Sequence, residues 1–145
     1  MKVTNLMMVN IMNKLEVFST KKLPQRISYA ITKNLMIISK EYQCYEIELN
    51  KLFDSYSEHI VKDTKNKWIR TKEGIPIVND DVAEKFREEL AELFNIEIKL
   101  NFYFIPMDVF NYDDSIGKYD ALSARNIFEL QSILCKEGDS DEISI

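Results

Sequence analysis

Histidine, glycine, proline and cysteine are all scarce in this chain of 145 residues. The single histidine, His59, excludes most zinc sites and most histidine-based catalysis, because both need further ligands or partners around an imidazole. The three glycines, Gly74, Gly117 and Gly138, are isolated, so neither a phosphate-binding loop nor a dinucleotide-binding fingerprint is present. We therefore predict no catalytic residues and no cofactor.

The two cysteines and the apolar segments indicate where the protein resides. Cys44 and Cys135 form no C-x-x-C pair and are predicted to be buried thiols in a reducing cytoplasm. No apolar run approaches the ~18–20 residues that cross a bilayer. Asn5, Asn10 and Asn13 interrupt the N-terminal apolar stretch, which argues against a signal peptide. We expect a cytoplasmic protein that does not enter a membrane.

Charge is divided unequally between the two halves of the chain, although the whole carries a net charge of only −5. Residues 1–72 contain 13 Lys and Arg against 7 Asp and Glu, whereas residues 73–145 contain 6 against 17. Such asymmetry can steer the choice of partner, or the two halves can attract each other within one fold.

Hydrophobic periodicity predicts an α+β fold that begins with a long helical hairpin. An apolar helix is expected over Val3–Ser19, and a second helix from Pro24 to about Ile60, where apolar residues recur every three or four positions. We predict one domain over residues 1–138, with the hairpin over 1–60 and a small sheet plus helices over 61–138. An acidic tail follows over residues 139–145. No internal repeat is apparent.

The second half of the chain predicts a small antiparallel sheet of about three strands and two further helices. Residues 67–71 and 75–78 flank Gly74 as a hairpin, and residues 95–105 alternate apolar with polar side chains, as a half-buried strand does. A third helix is expected from Asn79 or Asp80 to Phe94. A fourth is expected over residues 123–135, closed by Gly138.

A loop rich in acids and aromatic rings follows the predicted strand and is the first candidate site. Tyrosine and phenylalanine beside charged residues are typical of protein-interface anchors, although the same rings can instead cover the sheet. The spacing of its acids and of Gly117 does not match a calcium-binding loop, so no metal is predicted. The candidate partner-binding residues are Asp108, Phe110, Tyr112, Asp113, Asp114, Tyr119 and Asp120.

Two other patterns point to nucleic acid and are weaker. Five basic residues surround Trp68 and could hold a phosphate backbone, but the acidic second half argues against direct nucleic-acid binding. Glu97 and Lys99 share one face of the predicted strand, as in a metal-dependent nuclease, but no partner aspartate stands on a neighbouring strand. Alternating charges on a half-exposed strand explain that pair more simply.

The order of the elements resembles a family of short uncharacterised proteins encoded by phages and prophages of Gram-positive bacteria. The resemblance lies in Leu23-Pro24, the segment Phe86–Leu93 and the strand that follows. It implies a phage-encoded protein. The acidic second half and the acidic loop then favour a non-enzymatic protein that occupies a host or phage protein with a basic surface, for example as an inhibitor of a host defence of the CRISPR type. The alternatives are a virion or tail-assembly protein that works as an oligomer, and a metal-dependent nuclease.

Overall fold

The computed structural model describes residues 1–136 and confirms the α+β class. In the described residues, four α-helices accompany one antiparallel sheet of two strands. The elements are β1 (Lys2–Thr4), α1 (Asn5–Phe18), α2 (Gln25–Ser55), α3 (Asp80–Phe94), β2 (Glu97–Lys99) and α4 (Ala124–Leu134), with short 3-10 helices at Ser57–His59 and Met107–Phe110. The predicted closure of the last helix by Gly138, and the acidic tail, lie outside the described residues.

The predicted helical hairpin is present, and α2 is its long arm. The 31 residues of α2 extend for roughly 46 Å at ~1.5 Å per residue. α1 packs against α2 through the fully buried Met8 and Leu15. α2 ends at Ser55 rather than at Ile60, because Tyr56 leaves the helical conformation and a 3-10 turn follows.

The sheet is smaller than predicted and includes a strand that periodicity missed. Val3 was predicted to open the first helix, but it pairs with Ile98 of β2, and Thr4 caps α1 by accepting a hydrogen bond from the Met7 amide. The strand predicted over residues 95–105 is limited to Glu97–Lys99, because β1 is only three residues long. Beyond it the chain stays extended, and Asn34 of α2 replaces a partner strand.

Asn34 is fully buried and forms two hydrogen bonds with the backbone of Tyr103. Its side-chain amide donates to the Tyr103 carbonyl at 2.9 Å and accepts from the Tyr103 N–H at 2.7 Å. An otherwise unpaired backbone N–H and C=O are thereby satisfied in the core. This contact fixes the segment that leads into the acidic loop.

Two hydrophobic cores lie along α2. The larger combines α1, the first part of α2, residues 100–110 and α4. The smaller lies at the far end of α2, where Phe53 and Tyr56 pack against Phe86 and Leu90 of α3. Cys135 is buried as predicted, whereas Cys44 is exposed, because its position on α2 faces away from both cores. Within residues 1–136 no helix has the length and apolar character needed to cross a membrane.

Candidate interaction surfaces

The acidic loop, residues 108–120, is held closely to the body of the protein. The side chain of Phe110 is buried in the larger core, so it is not presented to a partner in this conformation. The rings of Tyr112 and Tyr119 meet edge to face with their centroids 5.5 Å apart. Burial, and then the neighbouring Asp114, raise the pKa of Tyr112.

Three of the loop's four aspartates use their carboxylates to order the loop itself. Asp113 accepts hydrogen bonds from the N–H and the hydroxyl of Ser115. Asp114 accepts from the Lys118 N–H at 2.7 Å and from the Tyr119 N–H at 3.3 Å. Carboxylates that accept backbone N–H groups in this way stabilise turns.

Asp120 ties the loop to the turn that precedes α2. Its carboxylate accepts from the Lys22 N–H at 2.7 Å, and its own N–H donates to the Lys22 carbonyl. Asp108 is exposed, and its carboxylate forms no hydrogen bond or ion pair with the residues described here. The predicted site residues therefore share one loop, and the carboxylates of Asp113, Asp114 and Asp120 also accept hydrogen bonds within the protein. Their role in binding stays a prediction.

A second surface is the basic ring, which we define as residues 59–79. Its chain folds into three short segments that pair around a closed circuit. The N–H of Val61 donates to the Ile77 carbonyl, that of Ile77 to Ile69, and that of Ile69 back to Val61, at 2.8, 2.9 and 2.9 Å. Isolated bridges pair Ile60 with Val78, Lys62 with Trp68 and Arg70 with Pro76.

The ring is an eight-residue structural repeat that sequence inspection missed. Asp63, Thr71 and Asn79 donate equivalent backbone bonds, to Lys67, Ile75 and His59. The two internal turns place Asn66 and Gly74 at positive φ, 62° and 83°, also eight residues apart. The segments share an aliphatic residue at Val61, Ile69 and Ile77, whereas several other positions differ, so the repeat is clearer in the backbone than in the sequence. His59 contributes its carbonyl to this circuit.

The outer side of the ring carries what we call the aliphatic triad, Val61, Ile69 and Ile77. Ile69 and Ile77 are 36% and 42% exposed, and Val61 is half-buried. Adjacent positions face inward: Ile60 is buried, and Trp68 and Val78 pack against the smaller core. Because the three residues are joined backbone to backbone, they occupy equivalent positions around the ring.

Four exposed lysines, the lysine rim, accompany the triad on the ring: Lys62, Lys65, Lys67 and Lys72. No described residue forms an ion pair or hydrogen bond with their ammonium groups. Arg70, by contrast, is held in place. Its guanidinium lies 5.1 Å from the Trp68 ring centroid and 5.9 Å from that of Phe53, and it donates to the Gly74 carbonyl at 2.8 Å.

The outer face of α2 also exposes apolar side chains, but they are spread along the helix. Tyr29, Met36 and Ile47 lie on it, and Tyr29 contacts Tyr103 edge to face at 5.4 Å. Residues seven apart on a helix are separated by about 10 Å, so these apolar side chains stand apart from one another. Isolated exposed apolar residues are ordinary on protein surfaces.

The residues suggested for a nuclease do not come together with a further carboxylate. Glu97 and Lys99 lie on β2, whose neighbour β1 presents Lys2 and Thr4. Glu97 forms an exposed ion pair with Lys2 at 3.5 Å. Asp80 and Asp81 open α3 instead of standing on a strand. Across residues 1–136, no three His, Cys, Asp or Glu side chains are grouped as a metal site would need.

No protein-family model matches this chain, and neither a curated protein nor a solved structure is detectably similar to it. The resemblance to short phage proteins therefore stays a prediction.

Proposed function

We propose that the protein is a non-enzymatic binding protein that acts by stoichiometric occupation of another protein. The observation that supports this is the basic ring, where exposed aliphatic side chains stand beside unpaired lysines. Protein interfaces commonly have an apolar centre that excludes water and a polar rim that stays accessible. In the basic ring, the aliphatic triad corresponds to the apolar centre and the lysine rim to the polar rim.

The rigidity of the ring supports the same proposal. Six backbone hydrogen bonds join its three segments, and Arg70 braces it against the rings of Trp68 and Phe53. A surface that is ordered before binding loses less conformational entropy when the partner arrives. The ring also rests on the smaller core, so its position relative to α2 and α3 is fixed.

The biological setting comes from the sequence resemblance. In that setting the chain is phage-encoded and its partner is a host protein in the cytoplasm, such as a defence protein of the CRISPR type. The alternative of a virion or tail-assembly role uses the same kind of surface. The acidic loop was predicted to bind a basic partner, but its carboxylates are largely committed, and we place the primary contact on the ring instead.

The test is site-specific photo-crosslinking in a lysate of the source organism. A crosslinking residue replaces Ile77 in one variant and Ile116, which is 83% exposed on the acidic loop, in a matched control. We expect one protein to be captured at position 77 and not at 116. Titration of the purified partner should then saturate at a fixed molar ratio. The proposal would be contradicted if the protein inactivated its partner at molar ratios far below the one at which binding saturates. It would also be contradicted if no protein were captured specifically at position 77.

A further inference from the structure

We propose that the basic ring takes an acidic protein surface with an apolar centre, not a single-stranded nucleic acid and not a second copy of this chain. This inference rests on the proposed function and names the chemistry of its partner. Three features of the ring support it: the excess of positive charge, the aliphatic triad in place of a free aromatic face, and the repulsion that two facing lysine rims would meet.

The first feature is the excess of unpaired positive charge. The ring holds five Lys and Arg residues but only two acids, Asp63 and Glu73. Asp63 Oδ1 accepts hydrogen bonds from the N–H groups of Lys65 and Lys67 at 2.8 and 3.0 Å, and five cations against two carboxylates leave the ring with a net charge of +3. Complementary potentials across an interface speed association and select the partner. The lysine rim therefore favours a partner with carboxylates around the contact.

The second feature separates protein from nucleic acid. Proteins that hold single strands stack bases on exposed aromatic rings. Trp68 is the single aromatic residue of the ring; it packs against the smaller core, and the Arg70 guanidinium lies over it. The outward side chains are instead the branched aliphatics of the triad, which fit an apolar protein side chain. Basic charge without a stacking platform thus argues against a single-stranded nucleic acid.

The third feature concerns a second copy. A symmetric contact centred on the triad places the same patch of both copies face to face. The two lysine rims would then approach each other, and like charges in contact are unfavourable. Asp80 and Asp81, in the first turn of α3, directly follow the ring in the chain.

The experiment compares two labelled probes by fluorescence anisotropy on the full chain. One probe is an amphipathic helical peptide of glutamate and leucine. The other is an oligo-dT strand of about 20 nucleotides, longer than the ~4–16 nucleotides that one single-strand-binding module covers. We expect the peptide to bind and the strand to bind much more weakly. We also expect peptide binding to weaken as salt rises to about 0.15 M, where screening acts over ~8 Å.

Charge and apolar variants locate the binding on the ring. Lys65→Glu with Lys67→Glu, and separately Ile69→Ser with Ile77→Ser, should each weaken peptide binding by about tenfold or more. Lys33→Glu with Lys40→Glu makes the same charge change on the exposed face of α2 and should alter binding by less than about twofold. Circular dichroism confirms that each variant is folded.

Each contrary outcome overturns a stated part of the inference. Tighter binding of oligo-dT, or ring-dependent dimers in sedimentation, assigns the surface to nucleic acid or to a second copy. The assignment to an acidic protein is refuted if the peptide does not bind, or if the α2 control variant loses as much peptide affinity as the ring variants do. The proposed function fails separately, when position 77 captures no protein. A captured partner with a basic contact surface would leave the function standing and refute this inference.

Discussion

The acidic loop and the basic ring are both exposed, charged and built around turns, yet they use their charges in opposite ways. In the loop, Asp113, Asp114 and Asp120 accept hydrogen bonds from neighbouring backbone or side-chain groups. In the ring, backbone pairs close the circuit, and the lysine ammonium groups pair with no residue between 1 and 136. Charge density alone therefore does not mark a binding surface; what matters is whether the charged atoms are already engaged.

The largest expected effect tests whether Phe110 belongs to the core. Phe110→Ala should lower the free energy of unfolding by about 3–5 kcal/mol, as removal of a buried phenylalanine does. Ile116→Ala on the same loop should change it by less than about 0.5 kcal/mol, since Ile116 is 83% exposed. Urea unfolding measures both. If the two variants were equally stable, Phe110 would be available as an interface anchor.

The next effect tests the structural role of the loop carboxylates. Asp114→Ala leaves the N–H groups of Lys118 and Tyr119 without their acceptor and should lower stability by about 1–2 kcal/mol. Asp108→Ala should have little effect, since no described group bonds to its carboxylate. Thermal unfolding of the two variants gives the comparison. An equal, small loss in both would mean that the loop acids are free for other use.

Turn glycines allow the loop and the ring to be compared directly. Gly74 in the ring and Gly117 in the loop have φ of +83° and +65°, and a Cβ at either position would meet no other atom within 4 Å. Backbone strain alone should then make Gly74→Ala and Gly117→Ala each cost about 1 kcal/mol. Urea unfolding of both variants measures it. A much larger cost at Gly74 would show that closure of the ring depends on this turn.

The smallest expected effect concerns the core beneath the ring and appears at alkaline pH. The Tyr56 hydroxyl donates to the Glu89 carboxylate at 2.8 Å, and burial together with this hydrogen bond raises the pKa of Tyr56 to about 12. Because the pKa of Tyr56 in the folded protein lies above 10.0, the protonated Tyr56 hydroxyl makes its full contribution to stability below pH 10. This contribution is lost as the pH rises toward 12.

The variant Tyr56→Phe should lose about 1 kcal/mol near neutral pH, which is typical for one hydrogen bond. Its stability relative to the parent should then recover between pH 10 and 12, where the parent loses the contribution. Urea unfolding across this pH range supplies the difference curve. A difference that does not change with pH would show that Tyr56 has no pKa shift that matters to folding.

Periodicity predicted the α+β class, the hairpin and the boundaries of α3. A stripe of apolar residues along one face of a helix, such as Phe86 and Leu90 on α3, is a strong local signal. Periodicity missed β1, since Val3 stands next to a helical pattern and its pairing with Ile98 is a long-range contact. Periodicity also predicted too long a strand at residues 95–105. Alternating apolar and polar side chains indicate that one face is buried, but they do not show that a partner strand is present.

The ring shows the same limit more sharply. Its repeat is set by backbone hydrogen bonds at Val61, Ile69 and Ile77, which are aliphatic in all three segments. Asp63 and Thr71, eight residues apart, accept equivalent hydrogen bonds from the N–H four residues further on. Together with the same spacing of Asn66 and Gly74, both of which tolerate positive φ, these are the signals that could have found it. Composition favours the loop as the candidate site, but it cannot show which carboxylates accept hydrogen bonds within the protein, and the loop's role in binding stays a prediction.

The most direct test of the account is to measure affinity for the captured partner in two charge-reversal variants. Lys65→Glu with Lys67→Glu changes the ring, and Asp108→Lys with Asp113→Lys changes the loop. The account predicts a loss of about tenfold or more for the ring variant and less than about twofold for the loop variant. Loss confined to the loop variant, with the ring variant binding as the parent does, would contradict it.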